Sequence, residues 1–247
     1  DVPKPEPSVS TQLDDFPPGN AADLPQTSAA LTRILSDCAS RYANCDSLRA
    51  GATYIVAGKR PHGKERVQNG RLEMYYRRPD KLKITVQGPG ISSGFVADGT
   101  TVTMFWPDDR EYRQVPQPKT LASFSEIEYA GEIFVDESMS IMRSVVGALL
   151  ISCDPLGWLH ANVREYHYEG IEEVTGTPCW RIKFVQDNPD VIVNNWVDQR
   201  TGFLRKICSL RGTDASGRFV DSYENAEFGA MELVVYDRIT TDPSAVS

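Results

Sequence analysis

Arg71-Leu72-Glu73-Met74-Tyr75-Tyr76-Arg77-Arg78-Pro79-Asp80-Lys81-Leu82-Lys83-Ile84-Thr85-Val86 is the stretch that decides the fold. Leu72, Met74 and Tyr76 occupy every second position and alternate with Arg71, Glu73 and Tyr75. After Arg78-Pro79-Asp80 the same period returns in Leu82, Ile84 and Val86, set against Lys81, Lys83 and Thr85. Successive side chains of a strand point to opposite faces, so each run has one apolar face. A connection this short joins antiparallel neighbours.

Working outward, turns at Gly88-Pro89-Gly90, Asp98-Gly99 and Asp108-Asp109 mark the next strands, among them Val102, Met104 and Trp106 alternating with Thr101, Thr103 and Phe105. Upstream, His62-Gly63 is a turn, and Asn69-Gly70 reads as a bulge that curves one continuous strand from Lys64 to Arg77. Residues 117–162 break the rhythm. Their apolar spacing predicts short helices split near Gly131 and at Asp154-Pro155. Strands resume over Val163–Val174, Thr177–Gln186, Val191–Asp198, Gly202–Leu210 and Arg218–Phe228, and Leu233–Tyr236 closes the sheet. Leu31, Ile34, Leu35, Cys38, Tyr42 and Cys45 share one helical face, which predicts an amphipathic helix of about five turns with Thr27 or Ser28 as N-cap.

About eleven antiparallel strands in one sheet curl under their own twist, and the apolar face becomes the inner one. The expected fold is therefore mainly β, in the α+β class. It is a half-closed antiparallel barrel with an N-terminal helix and a helical lid insertion over about 117–162. Residues 1–26, rich in proline, form a leader or linker, and residues 27–247 form a single domain.

Lys and Arg number 26 against 34 Asp and Glu, a formal charge of −8, which argues against a nucleic-acid partner. No run is long and apolar enough to span a membrane as a helix. Residue 1 is Asp, consistent with a removed signal peptide and an exported protein, with a lipoprotein anchor open. The five cysteines, Cys38, Cys45, Cys153, Cys179 and Cys208, have no metal spacing and read first as buried structural thiols. His62, His160 and His167 also lack ligand spacing, and no nucleophile elbow or phosphate loop is present. No enzyme, metal or cofactor is expected.

A barrel this wide is not filled by its own side chains, so a helix, the insertion or a ligand must enter. The face expected to line the cavity is Leu72, Met74, Tyr76, Leu82, Ile84, Val86, Val102, Met104, Trp106, Trp180, Ile182, Phe184 and Trp196. Leu149, Leu150 and Trp158 are expected to cover it.

Three blocks carry a family resemblance: Arg71 to Ile84, Ala97 to Asp108 followed by Glu111 to Pro116, and Trp196-Val197-Asp198-Gln199-Arg200-Thr201-Gly202-Phe203-Leu204. With an Arg-Pro before a strand, an Asp-Gly hairpin and a Thr-Gly hairpin in this order, the chain resembles the LolA/LolB lipoprotein-carrier superfamily. It looks closest to a LolA-like branch of predicted periplasmic proteins. The resemblance implies a periplasmic protein that holds acyl chains of lipids or lipoproteins. A monomer is expected. It also implies that Arg78 latches the lid by bonding its backbone carbonyls. Two other readings stay open: a lipid-sensing module read by an envelope protein partner, and a purely structural barrel filled by its own helices.

Overall fold

The computed structural model describes residues 29–59, 66–89, 91–119, 121, 149–150, 152, 154–157, 163–186, 192–213 and 228–241. Helix α1 (Ala29–Ala43) leads into β1 (Ser47–Lys59), β2 (Arg66–Arg77), β3 (Lys81–Gly88), β4 (Ile91–Asp98), β5 (Thr101–Trp106) and β6 (Glu111–Pro116). Then come β7 (Val163–Val174), β8 (Thr177–Gln186), β9 (Ile192–Asp198), β10 (Leu204–Thr213) and β11 (Phe228–Thr240). All eleven form one sheet in the order β6-β5-β4-β3-β2-β1-β11-β10-β9-β8-β7, and every pairing is antiparallel. The sheet ends at β6 and β7 and does not close on itself, which is the expected half-closed antiparallel barrel with its N-terminal helix.

Two meanders, β1 to β6 and β7 to β10, meet through β11, which pairs with β1 on one side and β10 on the other. Leu233–Tyr236 is thus part of a 13-residue central strand instead of a short closing piece. The strand expected over Arg218–Phe228 lies almost wholly outside the described residues, as do the expected N-cap and most of the lid.

Helix α1 buries Leu31, Ile34, Leu35, Cys38, Ala39 and Tyr42. It is shorter than the spacing predicts, because Cys45 lies beyond its end. The last turn tightens there: Asn44 N–H donates to Ser40 O at 3.0 Å and Cys45 N–H to Tyr42 O at 3.2 Å. Cys45 Sγ then donates to Ser47 O at 3.0 Å, which starts β1. A single helix of 15 residues is marginal in water, so it is the apolar stripe docked on the sheet that holds it.

The expected bulge at Asn69-Gly70 is absent from the β1–β2 pairing, which runs unbroken from Ser47 opposite Arg77 to Gly58 opposite Arg66. These residues instead give room to the end of β3, where a Cβ on Gly88 would run into the Asn69 carbonyl. Register shifts fall elsewhere: at Gly51/Ala52 in β1, between Leu204 and Lys206 in β10, and twice in β7. These are the positions where extra twist curves the sheet.

Candidate functional site

The inward face of the sheet gathers most of the expected cavity residues. Leu72, Met74 and Tyr76 from β2, Leu82, Ile84 and Val86 from β3, and Val102 and Met104 from β5 are at most 2% exposed. Trp180, Ile182 and Phe184 from β8 join the same cluster, and Trp106 packs on it half-buried. Phe95 and Ala97 of β4, Tyr54 of β1, Val193 and Val197 of β9, and Val234 and Tyr236 of β11 complete it. Phe95 and Ala97 alternate in the sequence with the same period as the other inward residues.

Trp196 does not belong to this face. It lies opposite Arg181 on β8 and Lys206 on β10, in a separate cluster with Val174 and Cys179. There its ring sits 4.0 Å from Lys206 Nζ and 5.3 Å from the Arg181 guanidinium carbon. Glu172 joins both cations, at 3.4 Å to Lys206 and 3.5 Å to Arg181. The inward position of β9 is taken by Asn195, fully buried, whose Nδ2 donates to Val193 O at 3.1 Å. Its Oδ1 has no hydrogen-bond partner among the described residues, so one acceptor faces an otherwise apolar wall.

What covers the face comes from outside the sheet. Helix α1 lies against it, and Leu121, Leu149 and Leu150, at most 2% exposed, join the same cluster from the segment between β6 and β7. Trp158 lies outside the described residues. Arg78 has a partner other than the expected one: Nε donates to Cys45 O at 3.0 Å and Nη2 to Tyr42 O at 3.1 Å, while its backbone N–H donates to Asp46 O at 2.8 Å. The guanidinium therefore satisfies carbonyls left orphaned at the end of α1, and among the described residues the element it holds is the first helix. Tyr42 fixes the same end, since its Oη accepts the Leu204 N–H at 3.2 Å and its ring meets Phe203 edge-on at 5.1 Å. Burial pushes the Tyr42 phenol well above its ordinary range, so it stays neutral.

Burial holds thiols of the core in the protonated form. Burial, with the Asp37 charge, pushes Cys38 up to about 12, and burial likewise takes Cys179 to about 12. Cys38, Cys45, Cys179 and Cys208 are unbridged. Among the described residues no three His, Cys, Asp or Glu converge as metal ligands.

The two hairpins quoted from the sequence are each built on an aspartate. Asp98 Oδ1 accepts the N–H groups of Thr100 and Thr101 and the Thr100 hydroxyl, each at 2.8 Å, and Gly99 takes φ 103°. Asp198 Oδ1 accepts the N–H of Arg200 at 2.9 Å and of Thr201 at 3.0 Å, and Gly202 takes φ 74°. Only a residue without Cβ adopts these φ values cheaply.

Those hydrogen bonds hold the Asp98 carboxyl down at about 2. Burial raises Asp198, but the two N–H donors and Arg205 outweigh it and leave it below the usual range. Asp237 is lowered by its hydrogen bonds from Arg71. A carboxyl depressed in the folded state contributes stability that is complete above its unfolded pKa of about 3.9 and is lost as the pH falls toward the folded value. The urea midpoint is therefore expected to be flat from about pH 7 to 5 and to fall below about pH 4. A midpoint that keeps its neutral value at pH 3 would contradict these contacts.

A cleft of about 830 Å³ lies between α1 and the β9–β10 hairpin, and of the expected cavity residues Trp180 lines it. No helix among the described residues is long and apolar enough to cross a membrane.

A family model described as "Predicted periplasmic protein (DUF2092)" matches residues 33–219. No curated protein matches the chain. Among solved structures, this one is similar to the complex structure of Pseudomonas aeruginosa MucA/MucB, at 11% identity, covering 89% of this chain and 61% of that one, with TM-score 0.43. It is also similar to Mycobacterium tuberculosis lipoprotein LppX, at 10% identity over 87% of this chain and 100% of that one, TM-score 0.44. A third is LolA superfamily protein NE2245 from Nitrosomonas europaea, at 10% identity over 87% and 95%, TM-score 0.32. The chain spans about three-fifths of the MucB chains it matches.

Proposed function

The chain belongs to the DUF2092 family of predicted periplasmic proteins, and on that premise we propose that it is a cell-envelope carrier that holds acyl chains of a lipid or lipoprotein against the concave face of its sheet. One observation carries this reading. Apart from Ser93 and Asn195, the inward face is apolar from β1 through β5 and again from β8 to β11, and it is covered by pieces that do not belong to the sheet: α1 and the leucines Leu121, Leu149 and Leu150. A cover made of separate elements can be displaced without breaking a β-ladder. The surface beneath then offers Met74, Ile84, Met104 and Phe184 to a flexible hydrocarbon chain.

The magnitudes are compatible with reversible binding. Burying fourteen methylenes contributes about 11 kcal/mol, at about 0.8 kcal/mol each. Association costs about 4 kcal/mol or more, which leaves an affinity in the micromolar range at best. Displacing α1 weakens it further. A carrier that must release its cargo works in that range.

Delipidated protein is expected to bind an acyl-chain fluorophore with micromolar or weaker affinity. Trp106 stands half-buried at the rim of the face, so Trp106→Ala is expected to fold and to weaken binding by about tenfold, the equivalent of roughly 1.4 kcal/mol of lost apolar contact. Folded protein that binds no such probe, and emerges from its own envelope without lipid by native mass spectrometry, would leave the purely structural reading standing.

A further inference from the structure

The cleft between α1 and the β9–β10 hairpin is unlike the concave face, because polar groups dominate its rim. Arg33, Arg41 and Arg200 line it together with Asp37 and Asp46. Arg33 pairs with Asp37 at 3.9 Å. Neither Arg41 nor Arg200 has an ion pair among the described residues. Gln199 also lines the cleft, and its Nε2 is buried without an acceptor among the described residues. Buried amide donors are almost always satisfied, so an unmatched one beside two unpaired guanidiniums marks a place for acceptors. The count of charges is informative: three arginines less two aspartates leave +1, enough for a monoanion and too little for a highly charged one.

The floor of the same cleft is apolar. Ile34, Trp180 and Phe203 line it, and Ile34 and Trp180 are members of the core cluster under α1. Trp180 thus touches both the polar opening and the inward face, at the end of α1 that Arg78 and Tyr42 hold. The arrangement is stiff on the hairpin side, where Asp198 caps the turn and Gly202 packs so closely that a Cβ would sit 2.9 Å from Arg41 Cγ.

We propose that this cleft binds the monoanionic headgroup of an amphiphile, a carboxylate or phosphodiester held by Arg41, Arg200 and the Gln199 amide, with its chain entering the sheet past Trp180. The inference rests on the acyl-carrier reading above and names the class of cargo. Guanidinium forks match the two oxygens of either headgroup, and charge-assisted bonds of this kind are the strong ones.

The test uses the full chain and three single-chain probes below their aggregation limits: dodecanoate, lauroyl-lysophosphatidylglycerol and neutral 1-monolauroylglycerol, titrated calorimetrically and by tryptophan fluorescence. The anionic probes are expected to bind roughly tenfold tighter than the neutral one, and Arg41→Gln or Arg200→Gln to weaken the anions about five- to tenfold while leaving the neutral probe within about twofold. Arg200→Lys, which keeps charge but not the fork, is expected to fall between. Whichever anion binds tighter identifies the headgroup source. Equal affinity for charged and neutral probes, unmoved by the substitutions, overturns the headgroup site and leaves the carrier reading intact. Acetate or inorganic phosphate binding as tightly as dodecanoate also overturns it. Absence of binding by all three probes, the neutral one included, overturns the carrier reading itself.

Discussion

Asp198→Ala is expected to lower the unfolding free energy by about 3–5 kcal/mol, the usual cost of removing one partner of a buried ion pair. Asp198 is fully buried and Arg205, whose Nε donates to Oδ2 at 2.9 Å, is 15% exposed in its side chain. Alanine would leave that guanidinium without its counter-charge and release the Arg200 and Thr201 N–H groups that the carboxylate also holds. Asp198→Asn separates the two roles. Its remaining oxygen can still accept from the turn but carries no charge toward Arg205, so a loss of roughly half is expected, with a shallower fall in stability below about pH 4. Pairing Asp198→Ala with Arg205→Met is expected to cost less than the sum of the singles. Chemical denaturation of these four variants beside the parent protein measures all of this. Losses under about 1 kcal/mol for both single Asp198 variants would show that the pair contributes little. The site bears on function because this hairpin presents Phe203 to Tyr42, and damage there reaches the docking of α1.

The same region shows where sequence periodicity stops being informative. In β2, β3 and β5 one face is wet, so apolar and polar residues alternate and the inward phase can be read directly. In β9 nearly every residue is buried, on both faces, and alternation vanishes. The apolar phase of its strand predicts Trp196 inward, but Trp180 pairs with Val197 and Arg181 with Trp196, which puts the two tryptophans on opposite sides of the sheet. The central strand β11 escaped full recognition for a related reason. Val234 and Tyr236 face the core while Met231 and Val235 pack in clusters on the other face, so the pattern is a run without a period. The cleft was illegible altogether, because it is assembled from the polar side of α1 and a hairpin about 160 residues away, and nothing in local spacing records that meeting. For Arg78 the family resemblance points to the residue and not to its partner, because the carbonyls it bonds lie 33 and 36 residues upstream and no local spacing records them.

Arg78→Ala is the variant in which stability and the proposed function part company. Two charge-assisted hydrogen bonds from the guanidinium to the end of α1 would be lost, and part-buried carbonyls of Tyr42 and Cys45 left to water. Hydrogen bonds to charged groups contribute about 1.5–3 kcal/mol, and partial exposure moderates the pair, so a global loss of about 2–3 kcal/mol is expected. Lysine offers a compact charge with no planar fork, and Arg78→Lys is expected to recover less than half of it. The lesion is local, however, and the strands beneath keep their ladders. Amides of α1 are expected to exchange with solvent at least tenfold faster in Arg78→Ala, with those of β2 and β3 hastened only as far as the global loss dictates. If α1 is the cover that a chain must displace, opening made easier by about 2 kcal/mol raises the open population roughly thirtyfold, and uptake of an acyl-chain fluorophore accelerates with it. A variant that is less stable throughout, with α1 exchange tracking the sheet and uptake no faster than in the parent protein, would make Arg78 a helix cap and nothing more. Faster uptake with an intact sheet would make it the latch, with the helix as the part that moves.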